Sequence, residues 1–155
     1  MAREIMERRA ADNPYLHKDF HSALNHGMIY LHRHYGEAAV RAWLREFALK
    51  WYAPLRQRLA AGDLGPLRAH FETIYRVEEA ALRIEQTPDE LLVHVDACPA
   101  VAHMRSRGEE VSPLFVETTR TVNEALCEGT PFAADLLAYD PQTGSSVQRF
   151  RRRSP

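Results

Sequence analysis

The feature that most constrains the fold is a change of hydrophobic period near Ala81. Before this residue, apolar side chains recur every three to four positions, as in Val40, Leu44 and Phe47, which is the spacing of amphipathic helices. After it, ALRIEQ and LLVHVDA alternate apolar and polar residues on either side of TPDE, which is typical of an antiparallel hairpin. The chain is therefore predicted to be helical in its first half and mixed in its second.

Prolines and glycines between the periodic segments predict where the elements begin and end. Three helices are expected first: Asp12 to Tyr35, 37–61 with a kink at Pro54, and Pro66 to Glu79. The first hairpin is then followed by a short helix over 99–107, a longer helix over 113–129 and a second hairpin turning at 141–144. The prediction is one α+β domain of residues 1–155, with a loosely ordered lead-in over 1–11 and a four-stranded antiparallel sheet covered by helices.

Composition narrows the class of protein. A chain of 155 residues, 45% hydrophobic and 26% charged, is typical of one globular core. The first residues do not resemble a secretory signal, and no apolar run is long enough to span a bilayer, so a cytoplasmic location with no membrane partner is expected. A net charge of −1 gives no reason to expect a nucleic-acid partner. A small-molecule substrate is the expected partner, and a homo-oligomer remains open.

Cys98 is the first candidate for chemistry, in the stretch DACPAVAHMRSRG. It follows the strand pattern and precedes Pro99, so it is predicted to stand at a strand-to-helix junction. Free N–H groups at such a junction can lower the pKa of a thiol. His103, five residues later, could return an imidazole toward the sulfur. The alternative is that Cys98 is a small buried hydrophobic residue.

His17 and His21 form a second candidate, because their i, i+4 spacing points both the same way, with His17 inside the apolar stripe of the first helix and His21 on its edge. Two imidazoles so placed could hold a divalent metal ion. No glutamate stands between them in the HExxH pattern, and the alternatives are two half-buried, hydrogen-bonded histidines or a pair used in acid–base chemistry.

The helix predicted from Pro113 carries the third set. Its polar stripe, expected to be exposed, consists of Glu117, Thr121, Glu124 and Glu128. A flank predicted to border a pocket holds Arg120, Asn123 and Cys127. Arg120 could clamp a substrate carboxylate through both oxygens, or it could form an ion pair with Glu117 or Glu124.

Four segments together resemble the bacterial L-2-amino-thiazoline-4-carboxylic acid hydrolase family. They are NPYLHKDFH (13–21), CPAVAHMRSRG (98–108), ETTRTVNEALCEGT (117–130) and YDPQTGSSVQRF (139–150). The resemblance covers nearly the whole chain in order. It implies hydrolysis of a cyclic isothiourea, in which water is added at C2 of the thiazoline and the ring opens toward N-carbamoyl-cysteine.

Such a reaction would need four groups, and the motifs suggest candidates for each. The hypothesis assigns Cys98 or a metal-bound water as nucleophile and His103 as the acid. The amidine-like nitrogens would bind Glu117 or Asp96. The carboxylate would bind Arg120 or Arg105, and Asn123 and Cys127 would complete the substrate site. A non-catalytic sensor or carrier stays open, because the order of elements in the second half also resembles the 4-vinyl-reductase type of small-molecule-binding domain.

Overall fold

The computed structural model describes residues 18–154 and confirms the α+β class. Four helices come first: α1 (Asp19–Tyr35), α2 (Glu37–Trp51), α3 (Ala53–Ala60) and α4 (Gly65–Val77). They are followed by β1 (Leu82–Gln86), β2 (Glu90–Val95), α5 (Pro99–Ser106), a 3-10 turn (Phe115–Thr118), α6 (Arg120–Cys127), β3 (Phe132–Tyr139) and β4 (Ser146–Arg152). The lead-in predicted over 1–11 and the helix start predicted at Asp12 lie outside the described residues. Within 18–154, no helix combines the length and the apolar character needed to cross a membrane.

The sheet has the strand order β1-β2-β4-β3, and all three pairings are antiparallel. β4 pairs with β2 on one side, with Leu91 opposite Phe150, and with β3 on the other. Alternate residues of β2, namely Leu91, Val93 and Val95, are buried against the helices, as the alternation in LLVHVDA predicts. The segment between β2 and β3 crosses over the sheet and carries α5 and α6.

The core lies between this sheet face and the helices. Helices contribute fully buried residues such as Met28, Leu44 and Leu67, and the strands contribute Phe132 and Phe150. Each large apolar side chain buried in this way stabilises the fold by roughly 1.5–3 kcal/mol. Helix α6 packs against both α2 and β3, so it connects the two layers.

The helix predicted over 37–61 is divided at Tyr52, two residues before Pro54. A proline has no N–H to donate to the carbonyl four residues earlier, so the backbone cannot continue as one regular helix through this point. The predicted kink is therefore a break between α2 and α3.

The helix predicted over 113–129 is shorter than expected. A 3-10 turn precedes α6, and the hydroxyl of Thr118 donates to the carbonyl of Phe115 at 2.7 Å. Two adjacent β-branched residues, Thr118 and Thr119, have low helix propensity, which agrees with a break here. The prediction that the polar stripe is exposed is also wrong for Glu117 and Thr121, which are buried.

Helix α1 is held beside the loop after α5 by Asn25, which is fully buried. Its amide nitrogen donates to the carbonyl of Glu110 at 2.7 Å, and its oxygen accepts from the N–H of Ser112 at 2.8 Å. The hydroxyl of Ser22 adds a bond to the Glu109 carboxylate at 3.0 Å. These contacts hold α1 against the loop that follows the C-terminal end of α5.

Candidate functional site

A cavity of about 200 Å³ lies where the first turns of α1 meet α2, α4, α6 and the start of α5. We call it the Cys98 cavity. Its walls are mostly apolar, and six of its lining side chains carry polar atoms: His21, Tyr52, Tyr75, Glu78, Cys98 and Thr118. An apolar cavity with a few converging polar groups is the usual form of a small-molecule site.

Cys98 stands at the junction predicted for it, between the end of β2 and the first residue of α5. Its backbone N–H donates to the carbonyl of Thr143 in the β3–β4 turn at 2.9 Å. The backbone N–H groups of Val101 and Ala100, at the start of α5, act on this thiol and favour its ionised form. The junction therefore holds the thiol against the first turn of a helix.

The pKa of Cys98 is raised, contrary to the lowering that its position suggests. Burial is the largest cause, because the apolar walls disfavour the thiolate. The N–H groups of Val101 and Ala100 act in the opposite direction, and the nearby Glu78 carboxylate raises the pKa further. Cys98 is thus a thiol at neutral pH and needs a base to become a nucleophile.

His21 and Glu78 form a hydrogen-bonded pair in the same cavity. Nε2 of His21 lies 2.7 Å from Oε1 of Glu78, although the two residues are 57 positions apart. Glu78 caps the C-terminal end of α4 and is only 6% exposed. Its second oxygen, Oε2, is buried and has no hydrogen-bond partner among the described residues. An acceptor left in this state is unusual, since buried polar atoms are nearly always paired.

His103 and Asp96 line a separate cavity of about 420 Å³, which also borders Glu78. Nε2 of His103 lies 3.4 Å from the Asp19 carboxylate, and the His103 side chain does not line the Cys98 cavity. At about 100° per residue, a position five residues after Cys98 points roughly 140° away around the helix axis. The structure therefore places His21, and not His103, in the cavity that holds the thiol.

The predicted carboxylate clamps are engaged elsewhere. Arg105 donates to the carbonyl of Pro141 at 3.0 Å. Arg120 donates to Oε1 of Glu117 at 2.8 Å, which is the ion pair that the sequence left open as an alternative. Glu117 is 1% exposed, and its Oε2 accepts from Thr121 at 2.7 Å. Neither Glu117 nor Arg120 lines the Cys98 cavity.

The flank of α6 predicted to border a pocket packs on the sheet instead. Asn123 is buried and donates to the side-chain oxygen of Gln148 at 2.8 Å. Cys127 is buried in the core, where desolvation raises its pKa to about 12. Both side chains serve packing and hydrogen bonding between α6 and the sheet.

His17, one member of the predicted metal pair, lies outside the described residues. His21, the other member, directs Nε2 to Glu78. Across 18–154, no three His, Cys, Asp or Glu side chains are grouped so that they could hold a metal ion. The metal site stays a prediction.

Glu78 is the site residue that sequence reasoning missed. It lies in the polar run RVEEA, where neither period nor spacing distinguishes it from Glu79. Its importance comes from its contact with His21 and from its burial, and both depend on the tertiary fold, which brings the C-terminal end of α4 beside the first turn of α1.

No protein-family model matches this chain, and no curated protein matches it in sequence. The four-segment resemblance therefore stays a prediction, and the cavity has to support the functional argument by its own chemistry.

Proposed function

We propose that the protein is a hydrolase that opens the ring of a small cyclic amidine or isothiourea, the class to which L-2-amino-thiazoline-4-carboxylate belongs. The observation that carries the proposal is that Cys98 and the His21–Glu78 pair line one small apolar cavity. A thiol, an imidazole and a carboxylate are the groups used for covalent attack on a planar, electron-poor carbon. The resemblance of four segments to a family with this reaction supports the same class.

In the proposed reaction, His21 removes the proton of Cys98 and the thiolate attacks C2 of the protonated ring. The C2–S bond of the ring breaks, and the departing sulfur takes the proton from His21. Water then adds to the carbon held by Cys98 and gives one proton to His21 and the other to solvent. The bond between that carbon and the Cys98 sulfur breaks as His21 passes its proton to the sulfur. The product is the N-carbamoyl thiol, and both Cys98 and His21 regain their first states. The positive charge of the bound amidinium would favour the thiolate and offset the raised pKa of Cys98.

This mechanism redistributes the roles expected from sequence. Cys98 keeps the role of nucleophile. His21 takes the proton-transfer role given to His103, because His21 lines the cavity of the thiol and His103 does not. Glu78 takes the amidine-binding role given to Glu117 or Asp96 for the same reason.

The test is turnover of 2-amino-2-thiazoline and of its 4-carboxylate by full-length variants, with the ring-opened product measured by liquid chromatography and mass spectrometry. Cys98→Ser is expected to lower kcat/KM at least about a hundredfold, since the weaker nucleophile must do the same step. Cys127→Ala is the matched control, because it removes the other thiol from a position outside the cavity. Unchanged turnover by Cys98→Ser would refute the covalent route.

Two further measurements separate the competing assignments. His21→Asn should abolish turnover while His103→Asn retains most of it, and the reverse order would restore His103 as the proton carrier. Loss of activity on chelation, with Cys98→Ser still active, would instead favour a metal-bound water.

A sensor or carrier that binds a ligand without turning it over is the second candidate. Two observations favour it, namely the mostly apolar walls of the cavity and the raised pKa of Cys98. Thermal stabilisation of the wild-type protein by the thiazolines, with no product after long incubation, would select this function over hydrolysis.

A further inference from the structure

Glu78, which lines the Cys98 cavity, has one buried carboxylate oxygen that accepts no hydrogen bond from the described residues. Oε1 of Glu78 is used by His21, whereas Oε2 has no partner among residues 18–154. A carboxylate oxygen buried without a donor is costly, and a bound N–H group would remove that cost. An amidinium head has two N–H groups in one plane and carries the opposite charge, so it is well suited to this position.

The same cavity lacks the cationic side chains that would bind an anion, among the residues that the structure describes. None of the described residues that line it is an arginine or a lysine. Lys18 borders the neighbouring cavity, and Arg105 and Arg120 bond to Pro141 and Glu117. A ligand carboxylate would therefore be taken out of water next to the like charge of Glu78, with no arginine or lysine from this wall to pair with it.

Size sets a further limit on the ligand. The cavity volume of about 200 Å³ is below the roughly 300–1,000 Å³ of sites that hold drug-sized molecules. A single five- or six-membered ring with short apolar substituents is the scale of molecule that this volume suits. The apolar walls contributed by Leu24, Phe47 and Ile74 suit such substituents.

We infer that the Cys98 cavity selects a small cyclic amidinium that carries no carboxylate, with Glu78 Oε2 as the acceptor that recognises its N–H groups. The inference rests on the proposed function for the identity of the reacting group, and it goes further by naming the charge class of the substrate. It is tested by binding, so that it can fail independently of catalysis.

The experiment measures the affinity of three probes for the full-length Cys98→Ser protein by isothermal titration calorimetry. The probes are 2-amino-2-thiazoline, which is cationic, 2-thiazolidinone, which is neutral, and 2-amino-2-thiazoline-4-carboxylate, which adds an anion. The first is expected to bind roughly tenfold or more tightly than either of the others, because only it gains the charge-assisted contact without burying a second charge. Binding of the carboxylate probe as tight as that of 2-amino-2-thiazoline, or tighter, would overturn the inference, as would equal binding of the neutral probe.

A matched pair of variants locates the effect at Glu78. Glu78→Gln in the same background should weaken 2-amino-2-thiazoline roughly tenfold or more and abolish its advantage over 2-thiazolidinone. Glu79→Gln makes the same charge change at an exposed neighbour that does not line the cavity, and it should leave the affinity unchanged. If Glu78→Gln still binds 2-amino-2-thiazoline more tightly than 2-thiazolidinone, Glu78 is not the group that recognises the amidinium. The affinities of the three probes are compared on a protein that keeps Glu78. This comparison therefore tests the inference even if Glu78→Gln fails to fold.

Wild-type turnover separates this inference from the proposed function. The expected probe order without product from any probe would refute hydrolysis and leave the recognition of amidinium intact. Turnover together with tighter binding of the carboxylate probe would support hydrolysis and refute the inferred selection against a carboxylate.

Discussion

At the residue scale, the strictest requirement near the candidate nucleophile is at Gly144, in the turn between β3 and β4. Its φ of +67° lies in the left-handed region that favours glycine. A Cβ at this position would lie 2.4 Å from Cβ of Cys98 and 2.9 Å from Cγ2 of Val101. The turn therefore approaches the start of α5 so closely that only a residue without a side chain fits.

Gly144→Ala is expected to lower the free energy of unfolding by roughly 2–4 kcal/mol, because backbone strain and a steric overlap add. Urea denaturation followed by circular dichroism measures the loss. Gly108→Ala is the matched control: its φ is +68°, but no atom lies within 4 Å of the added Cβ, so it should lose only roughly 1 kcal/mol. Equal losses in the two variants would show that the contact with Cys98 is not a constraint.

At the scale of elements, the segment from Phe115 to Cys127 shows how far periodicity can be trusted. Its apolar residues Val122, Ala125 and Leu126 recur at helical spacing and lie in the core. Glu117 is buried as well, and its carboxylate has polar partners there. Arg120 and Thr121 donate to it from its own segment, and Arg41 of α2 lies 3.4 Å from its Oε1. A contact across 76 residues cannot be read from the pattern of one helix.

Glu117→Ala is expected to lower the free energy of unfolding by roughly 2–3 kcal/mol, because charge-assisted bonds to a buried carboxylate are lost. Glu124→Ala, on the exposed side of α6, should change it by less than roughly 0.5 kcal/mol. Thermal and urea denaturation of both variants provide the measurement. The folded fraction of Glu117→Ala should retain its kcat/KM, whereas a specific loss of turnover would return Glu117 to the catalytic role expected from sequence.

At the scale of the whole molecule, burial makes the fold sensitive to alkali. Desolvation raises the pKa of Cys98, that of Cys127 to about 12 and that of Tyr139 to about 12. In the unfolded chain a thiol ionises near pH 8.5, at about its ordinary value. Above that pH the unfolded state holds fewer protons than the folded state, so stability is lost as pH rises from about 8.5 toward the folded-state values.

The free energy of unfolding is accordingly expected to be level below about pH 8 and to fall steadily between about pH 8.5 and 10.5. Urea denaturation across this range, under reducing conditions, measures the slope. Cys127→Ala removes a thiol whose pKa burial raises to about 12, so its slope should be visibly shallower than that of wild type. A wild-type curve that stays flat or rises through this window would contradict the prediction.

The sequence by itself determined the class, the order of the elements and most of their boundaries. Hydrophobic period and the positions of proline and glycine are local properties, and a local pattern is enough to choose helix, strand or turn. The same reasoning placed Cys98 at a strand-to-helix junction, because that position depends only on its immediate neighbours.

Only the tertiary structure decided which side chains share the Cys98 cavity. His21 meets Glu78 across 57 residues, and the turn at Gly144 closes on Cys98 from the far end of the chain. His103 is close to Cys98 in sequence, but the helical rotation of α5 directs it into another cavity. Contacts of this kind follow from how the helices pack on the sheet, and packing is a property of the whole chain that no single segment encodes.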